Sequence, residues 1–243
     1  MMVNVNIPEM FAAATGGDAA RPFVTYYDDA TGERVELSYL TVANWTNKTA
    51  NLLVDGSGLG PGSTAAVAMP AHWLTAAVLL GCWSSGVAVA HEAADVDVAF
   101  VGGDRFGDTP KAPEVYGVSL KPMAFRLDDA PAGVIDFLTE VRNFGDHFAA
   151  STVVGDDEPA LVALPGGGAR SQGDLVAAGE RRAGELGIAP GARILLAGDR
   201  LRPLDWLLTP LAVGGSVVLC RNSDGVDLDA RAASERAVQV TVG

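Results

Sequence analysis

Residues 160–175 read ALVALPGGGARSQGDL. An apolar run, Ala160–Leu164, enters Pro165; Gly166, Gly167 and Gly168 follow, then Ala169, Arg170, Ser171 and a helical pattern. A glycine-rich turn between a strand and a helix is one way to hold a phosphate. Glycine permits positive φ, and the first N–H groups of the helix point at the anion. Gly166, Gly167, Gly168, Arg170 and Ser171 are therefore the first candidate site, for a phosphate or another anion. The stretch has neither the Gly-Lys-Ser/Thr ending of one common phosphate motif nor the Gly-x-Gly-x-x-Gly of another. A tight turn whose glycines only tolerate positive φ accounts for the same residues.

A second group lies in the loop LAGDRLRPLDW (196–206), where Asp199, Arg200 and Arg202 follow an apolar run. His72 and Trp73 follow another such run, AAVAM (65–69). Loops at the carboxyl ends of strands are where open α/β sheets bind ligands, so these five residues are candidates for a cleft. A solvated loop with local ion pairs, and an indole packed at a helix start, are the alternatives. His91-Glu92 is not followed by the second histidine of a zinc-protease helix. The three histidines are His72, His91 and His147, and no Gly-x-Ser-x-Gly elbow accompanies them. No catalytic residue and no metal ligand is assigned.

The elements that position these residues come as a repeat. GLGPGSTAAVAMPAHWLTAAVLLGCWSSGVAVA from Gly58 aligns without gaps on GIAPGARILLAGDRLRPLDWLLTPLAVGGSVVL from Gly187, at a constant offset of 129 residues. Gly58, Pro61, Gly62, Ala68, Leu79, Gly86 and Val89 face identical residues. Each copy follows an amphipathic stretch, Tyr39–Val54 or Asp174–Leu186. The pattern predicts helix, Gly/Pro turn, buried strand, helix and strand, used twice. Apolar strands between helices imply a largely parallel sheet covered on both faces. The fold class is α/β, with two related parallel-sheet units expected over residues 1–150 and 151–243. Gly103–Glu158 reads as a connector with ordered pieces at 115–120 and 133–144. Ser38 is expected to cap the first helix, and Ser171 with Asp174 to begin the second near residue 174.

The chain has 243 residues and a net charge of −13, with 17 Lys and Arg against 30 Asp and Glu. That balance argues against nucleic acid or an anionic membrane as partner. Cys82 and Cys220 sit in apolar runs and read as buried, reduced thiols. Residues 65–90 carry no formal charge, yet Pro70, His72 and Ser84-Ser85-Gly86 divide them into strand, helix and strand. The first twenty residues hold no Lys or Arg, unlike a signal peptide. A cytoplasmic protein is expected.

The block from Arg34 to Ala90 resembles the opening of the adenylate-forming enzymes: acyl-CoA synthetases, luciferases and the adenylation domains of peptide synthetases. There a Tyr-Leu helix leads to a Gly-x-x-Pro-Gly turn, strand and helix. The block from Ala160 to Cys220 resembles the one that opens with that family's phosphate loop, and the family shows the same two-lobe duplication. Short actinobacterial proteins related to it are the nearest likeness. The resemblance implies the N-terminal fold of these enzymes, with ATP or AMP and magnesium as cofactors. The departures bear on activity. The family's Ser/Thr/Gly-rich loop with Pro-Lys-Gly is replaced by LPGGGARSQGD, with Arg170 as its cation, and 196–206 lacks the family's aromatic-histidine element. The family's adenine and ribose segments and its lysine-bearing C-terminal domain have no counterpart in these residues. Adenylation needs placed cations and a carboxylate-held metal. The expectation is a non-catalytic binding or regulatory module for a nucleotide or acyl-type metabolite. The alternatives are an AMP-forming ligase fragment completed by a partner protein, and a structural homodimer.

Overall fold

The computed structural model describes residues 5–242 except 91–94, 104, 109–110, 123–124, 128–129, 151 and 166. Helix α1 (Ile7–Thr15) precedes a hairpin, β1 (Pro22–Asp28) and β2 (Glu33–Ser38). Then come α2 (Tyr39–Asn51), β3 (Thr64–Ala68), α3 (Trp73–Ser84), β4 (Ala88–Ala90), β5 (Val98–Gly102), β6 (Glu114–Val118), β7 (Val134–Asp136) and α4 (Phe137–Glu140). A second hairpin follows, β8 (Pro159–Val162) and β9 (Arg170–Ser171), with α5 (Gln172–Glu185) and β10 (Arg193–Ala197). The chain continues through α6 (Thr209–Ala212, entered by a π-helical turn), β11 (Ser216–Arg221), α7 (Leu228–Glu235) and β12 (Val238–Gln239).

The repeat is structural. β3 and β10 occupy 64–68 and 193–197, the same offset as the sequence alignment. Gly58 and Gly62 have positive φ, as do Gly187 and Gly191, so both copies spend glycines on the same left-handed turn. β3 pairs in parallel with β4 and β5; β10 pairs in parallel with β11 and β12. The hairpins are exchanged: β1 lies parallel to β11, while β8 lies parallel to β4. Each repeat's hairpin completes the sheet of the other.

Two compact units result. One contains Met1–Pro8, Ala43–Met69 and Leu74–Gly173, and its seven strands run β7-β6-β5-β3-β4-β8-β9. Among the described residues, β8/β9 is its one antiparallel pair. α3 is apolar on every side, and Leu74 to Trp83 are buried around it. The stretch 65–90 is thus strand, helix and strand, and among the described residues no helix is long and apolar enough to cross a membrane. Trp83 donates from Nε1 to the Ala160 carbonyl at 3.1 Å. Gln172, fully buried, donates to the Trp83 carbonyl and accepts from the Ile7 amide. Gly103–Glu158 is not a mere connector: it supplies β6, β7 and α4, and Phe137, Leu138 and Val141 are buried. Apolar residues too sparse for a periodic pattern still fill a core when the sheet brings them together.

The other unit contains Glu9–Val42, Pro70–Trp73 and Asp174–Gly243, with strand order β12-β10-β11-β1-β2. On one face of its sheet, Tyr27 and Arg34 are directly opposite, as are Thr25 and Glu36. Arg193 donates from Nη2 to Thr25, Glu36 and Glu235, and Arg34 and Tyr27 also bond Glu235. Burial pushes the Glu235 pKa up, but the hydrogen bonds from Tyr27, Arg193 and Arg34 outweigh it and hold the carboxyl at about 2. α7 is thereby fixed to three strands. Ser38 caps α2, accepting from the Thr41 amide at 3.1 Å, as expected. α5 begins at Gln172, two residues before the expected start, because Gln172 and Gly173 bond the Glu158 and Asp156 carbonyls. Both cysteines are buried free thiols.

This packing makes three predictions about stability. A methyl at Gly81 would lie 2.7 Å from the Thr49 side chain, so Gly81→Ala should lower unfolding stability in urea by about 1–3 kcal/mol. Gly184→Ala, on an open face of α5, should instead raise it by up to about 1 kcal/mol. Glu235→Gln should cost about 2 kcal/mol at neutral pH. The Glu235 carboxyl stabilises the fold fully above its ordinary value of 4.5 and loses that contribution as pH falls toward 2. The deficit of the variant should shrink across that window, as read by denaturant titrations at several pH values.

Candidate functional site

The glycine loop joins two strands rather than a strand and a helix. Residues 163–169 connect β8 to the antiparallel β9, and α5 begins only after Ser171. The expected cradle of amides at the helix start is not formed, since the Gln172 and Gly173 N–H groups are spent on Glu158 and Asp156. Within the loop the Gly167 amide bonds the Leu164 carbonyl at 2.8 Å, and Ala163, Gly167 and Gly168 take positive φ. A Cβ at Gly167 or Gly168 would meet nothing within 4 Å, so their φ, not a close neighbour, calls for glycine. Gly166 lies outside the described residues. Arg170 is exposed, and the one hydrogen bond of its guanidinium among the described residues is a 3.4 Å contact with the Ala169 carbonyl. Ser171 is half-buried at the end of β9.

The sister hairpin shows what is particular to this loop. β1 and β2 are joined by four residues, Asp29–Gly32, pinned by amides of Ala30, Thr31 and Gly32 on Asp28. The loop between β8 and β9 has seven, and it presents an arginine at its end.

The second candidate group lies at the carboxyl ends of the five-stranded sheet. Asp199, just beyond β10, is exposed, and its Oδ1 lies 3.9 Å from Arg221 Nε at the end of β11. His72 is buried, with its ring edge-on to Tyr26 of β1 at 4.5 Å and Trp73 at 5.5 Å. Burial, with the Arg221 charge in support, lowers the His72 pKa to about 3, so the imidazole is neutral at physiological pH. Burial likewise raises the Tyr26 phenol to about 12, helped by Asp28 and opposed by Arg221. Arg221 therefore lies near Asp199, and its charge is felt at both His72 and Tyr26. Arg202 is drawn elsewhere: it donates to Asp205 at 2.8 Å, and that buried carboxylate also takes Arg182 at 2.8 Å. Arg200 is exposed.

Tyr26 and Arg221 escaped the sequence reading. The available signals were slight: Tyr26 is one of two adjacent tyrosines in an alternating strand, and Arg221 is a charge directly after the apolar run SVVLC. Together with His72 they supply a cation, a phenol and a neutral imidazole. That set can hold an anionic or polar group, but it offers no side chain that exchanges a proton near neutral pH. Among the described residues no three His, Cys, Asp or Glu side chains gather where they could hold a metal ion.

No family model matches the chain. Three solved structures share its fold: an acyl-CoA synthetase from Brucella canis, an acetoacetyl-CoA synthetase from Streptomyces lividans, and the anthranilate CoA ligase AuaEII in complex with anthranoyl-AMP. Their TM-scores are 0.72, 0.72 and 0.70 at 15%, 17% and 13% identity. They cover 93%, 96% and 96% of this chain, which spans only 46%, 41% and 48% of theirs. The fold is thus that of the N-terminal region of acyl-CoA synthetases, as the sequence resemblance implied. A Mycobacterium tuberculosis protein described as a TIGR03089 family protein is 38% identical over 233 residues, covering 92% of each chain. At that identity over nearly the full length of both, the chain belongs to the TIGR03089 family.

Proposed function

We propose that this protein is a non-catalytic binding or regulatory module on the adenylate-forming fold, taking a nucleotide or acyl-type metabolite through an anionic group. The observation that carries the reading is the loop between β8 and β9. It is shorter than the phosphate loop of the resembled family, but it keeps the glycines of an open turn, and it offers Arg170 as cation and Ser171 as hydroxyl. A triphosphate with its metal needs several cations and hard oxygen ligands around it. The donors of this loop fit one anionic group and not that load, so no adenylation step is assigned. The carboxyl-edge group of Tyr26, His72 and Arg221 supports the same reading, because it is equipped to hold a ligand and not to transform one.

A ligase half completed by another chain is the second reading. It draws on the synthetases of the same fold, which are more than twice as long as the part this chain matches. A subunit that co-purifies and restores AMP formation would establish it in place of the first.

Calorimetric titration with Mg·ATP and then AMP tests the loop. Micromolar binding should be weakened at least about tenfold in Arg170→Glu, with the unfolding midpoint unchanged because Arg170 is exposed. Absence of binding at millimolar ligand overturns the assignment. If the anion instead sits at the carboxyl edge, Arg221→Ala carries the loss. With His72 held neutral, its imidazole resonances should not shift between about pH 5 and 8, and the affinity should not follow a histidine titration.

A further inference from the structure

The amino ends of the five-stranded sheet carry a second concentration of charge, on the opposite edge from Asp199 and Arg221. A cavity of about 410 Å³ opens there. Arg21 enters it from just before β1, Arg193 from the first residue of β10, and Ser234, Glu235 and Arg236 from the end of α7 and its cap. Arg21 is immobilised: Nη1 and Nη2 donate to the Gly214 and Ala14 carbonyls at 3.0 and 2.9 Å, and the guanidinium stacks 4.0 Å from the Tyr39 ring centroid. Arg193 uses only Nη2 on Thr25, Glu36 and Glu235. Among the described residues its Nε and Nη1 donate to nothing. Arg236 is exposed and makes no side-chain hydrogen bond or ion pair among them.

Charge does not balance at this edge. Among the residues lining the cavity, three guanidiniums, of Arg21, Arg193 and Arg236, face two carboxylates, Glu36 and Glu235. Asp18, three residues before Arg21, keeps its carboxylate on the Ala20 amide. A local excess of one positive charge stands out in a chain of net charge −13.

The repeat supplies an internal control. The residue equivalent to Arg193 is Thr64, whose amide and hydroxyl both bond the Asp97 carboxylate, at 2.7 and 3.0 Å. The matching edge of the seven-stranded sheet also opens a cavity, of about 300 Å³, and none of the described residues lining it is charged. The architecture therefore closes the matching edge without arginine, and the cations are a feature of the five-stranded sheet's edge.

We propose that the amino-edge cavity is an anion site, separate from the glycine loop, for the dianionic phosphate of a phosphate-bearing metabolite. Glu36 and Glu235 fix one side of the Arg193 guanidinium and leave its other N–H groups for the phosphate oxygens. Arg236 adds a second fork from α7, the Ser234 hydroxyl a further donor, and Arg21 a stationary charge.

The test is calorimetry on the full chain at low ionic strength with pyrophosphate and inorganic phosphate, and succinate as an organic dianion. Pyrophosphate should bind the unmodified protein and lose about tenfold or more in affinity in Arg236→Glu and in Ser234→Asp. Both variants alter exposed side chains and should keep the parental unfolding midpoint. Arg170→Glu should bind pyrophosphate as the parent does, which separates this site from the proposed loop site. No binding at millimolar pyrophosphate, or unchanged affinity in both amino-edge variants, overturns the proposal. Loss in Arg170→Glu alone assigns the anion to the glycine loop and also overturns it. Succinate binding as tightly as pyrophosphate overturns the phosphate specificity.

Discussion

The parallel pairing of β1 with β11, mirrored by that of β8 with β4, is the constraint from which most of the molecule follows. A hairpin alone is marginal in water, and a parallel βαβ unit alone leaves a strand edge open. Here each repeat lends its hairpin to the other's sheet, so neither sheet is finished by the segment that supplies its central strands. This exchange decides where the glycine loop sits. As the tip of a hairpin at the border of the seven-stranded sheet it is open and reaches out beyond β8, and the helix that follows cannot lend it amides.

β1 is the strand on which both edges of the smaller sheet depend. Its alternation sends Thr25 and Tyr27 to the ionic network on one face and Tyr26 to His72 on the other. The network is buried enough for charge-assisted bonds to matter, and it is extensive enough that no single carboxylate is left alone. It clamps α7 while leaving part of Arg193 unspent. The carboxyl edge is drier: burial dominates both His72 and Tyr26 and drives their pKa values apart, downward for the imidazole and upward for the phenol.

Much of this was legible in the amino acids, for identifiable reasons. The offset of 129 residues survives because glycines at 58, 62, 187 and 191 are held by backbone conformation, which tolerates little substitution. The division of residues 65–90 into strand, helix and strand was likewise plain from Pro70 and the Ser84-Ser85-Gly86 break. What the sequence hid was partnership. An apolar run announces a buried strand but not its neighbour, so the exchange of hairpins could not be read from Phe23–Tyr26 or Ala160–Val162. β9 is two residues long, Arg170 and Ser171, with no pattern to separate it from the helix behind it. The cluster of Tyr26, His72 and Arg221 draws on residues distant along the chain, and only the sheet assembles it.

The exchange also sets an order of events in synthesis. Val24 pairs with Val217, far along the chain. While the ribosome is making the intervening residues, the first hairpin has no sheet to join, and its apolar Phe23 and Val24 must wait in water or in the care of a chaperone. The larger sheet needs nothing beyond β9 to complete its strand order. The smaller sheet is therefore the late one, because its β1–β11 pairing joins residues far apart in the chain. Its assembly is the step at which a nascent chain is most exposed to aggregation.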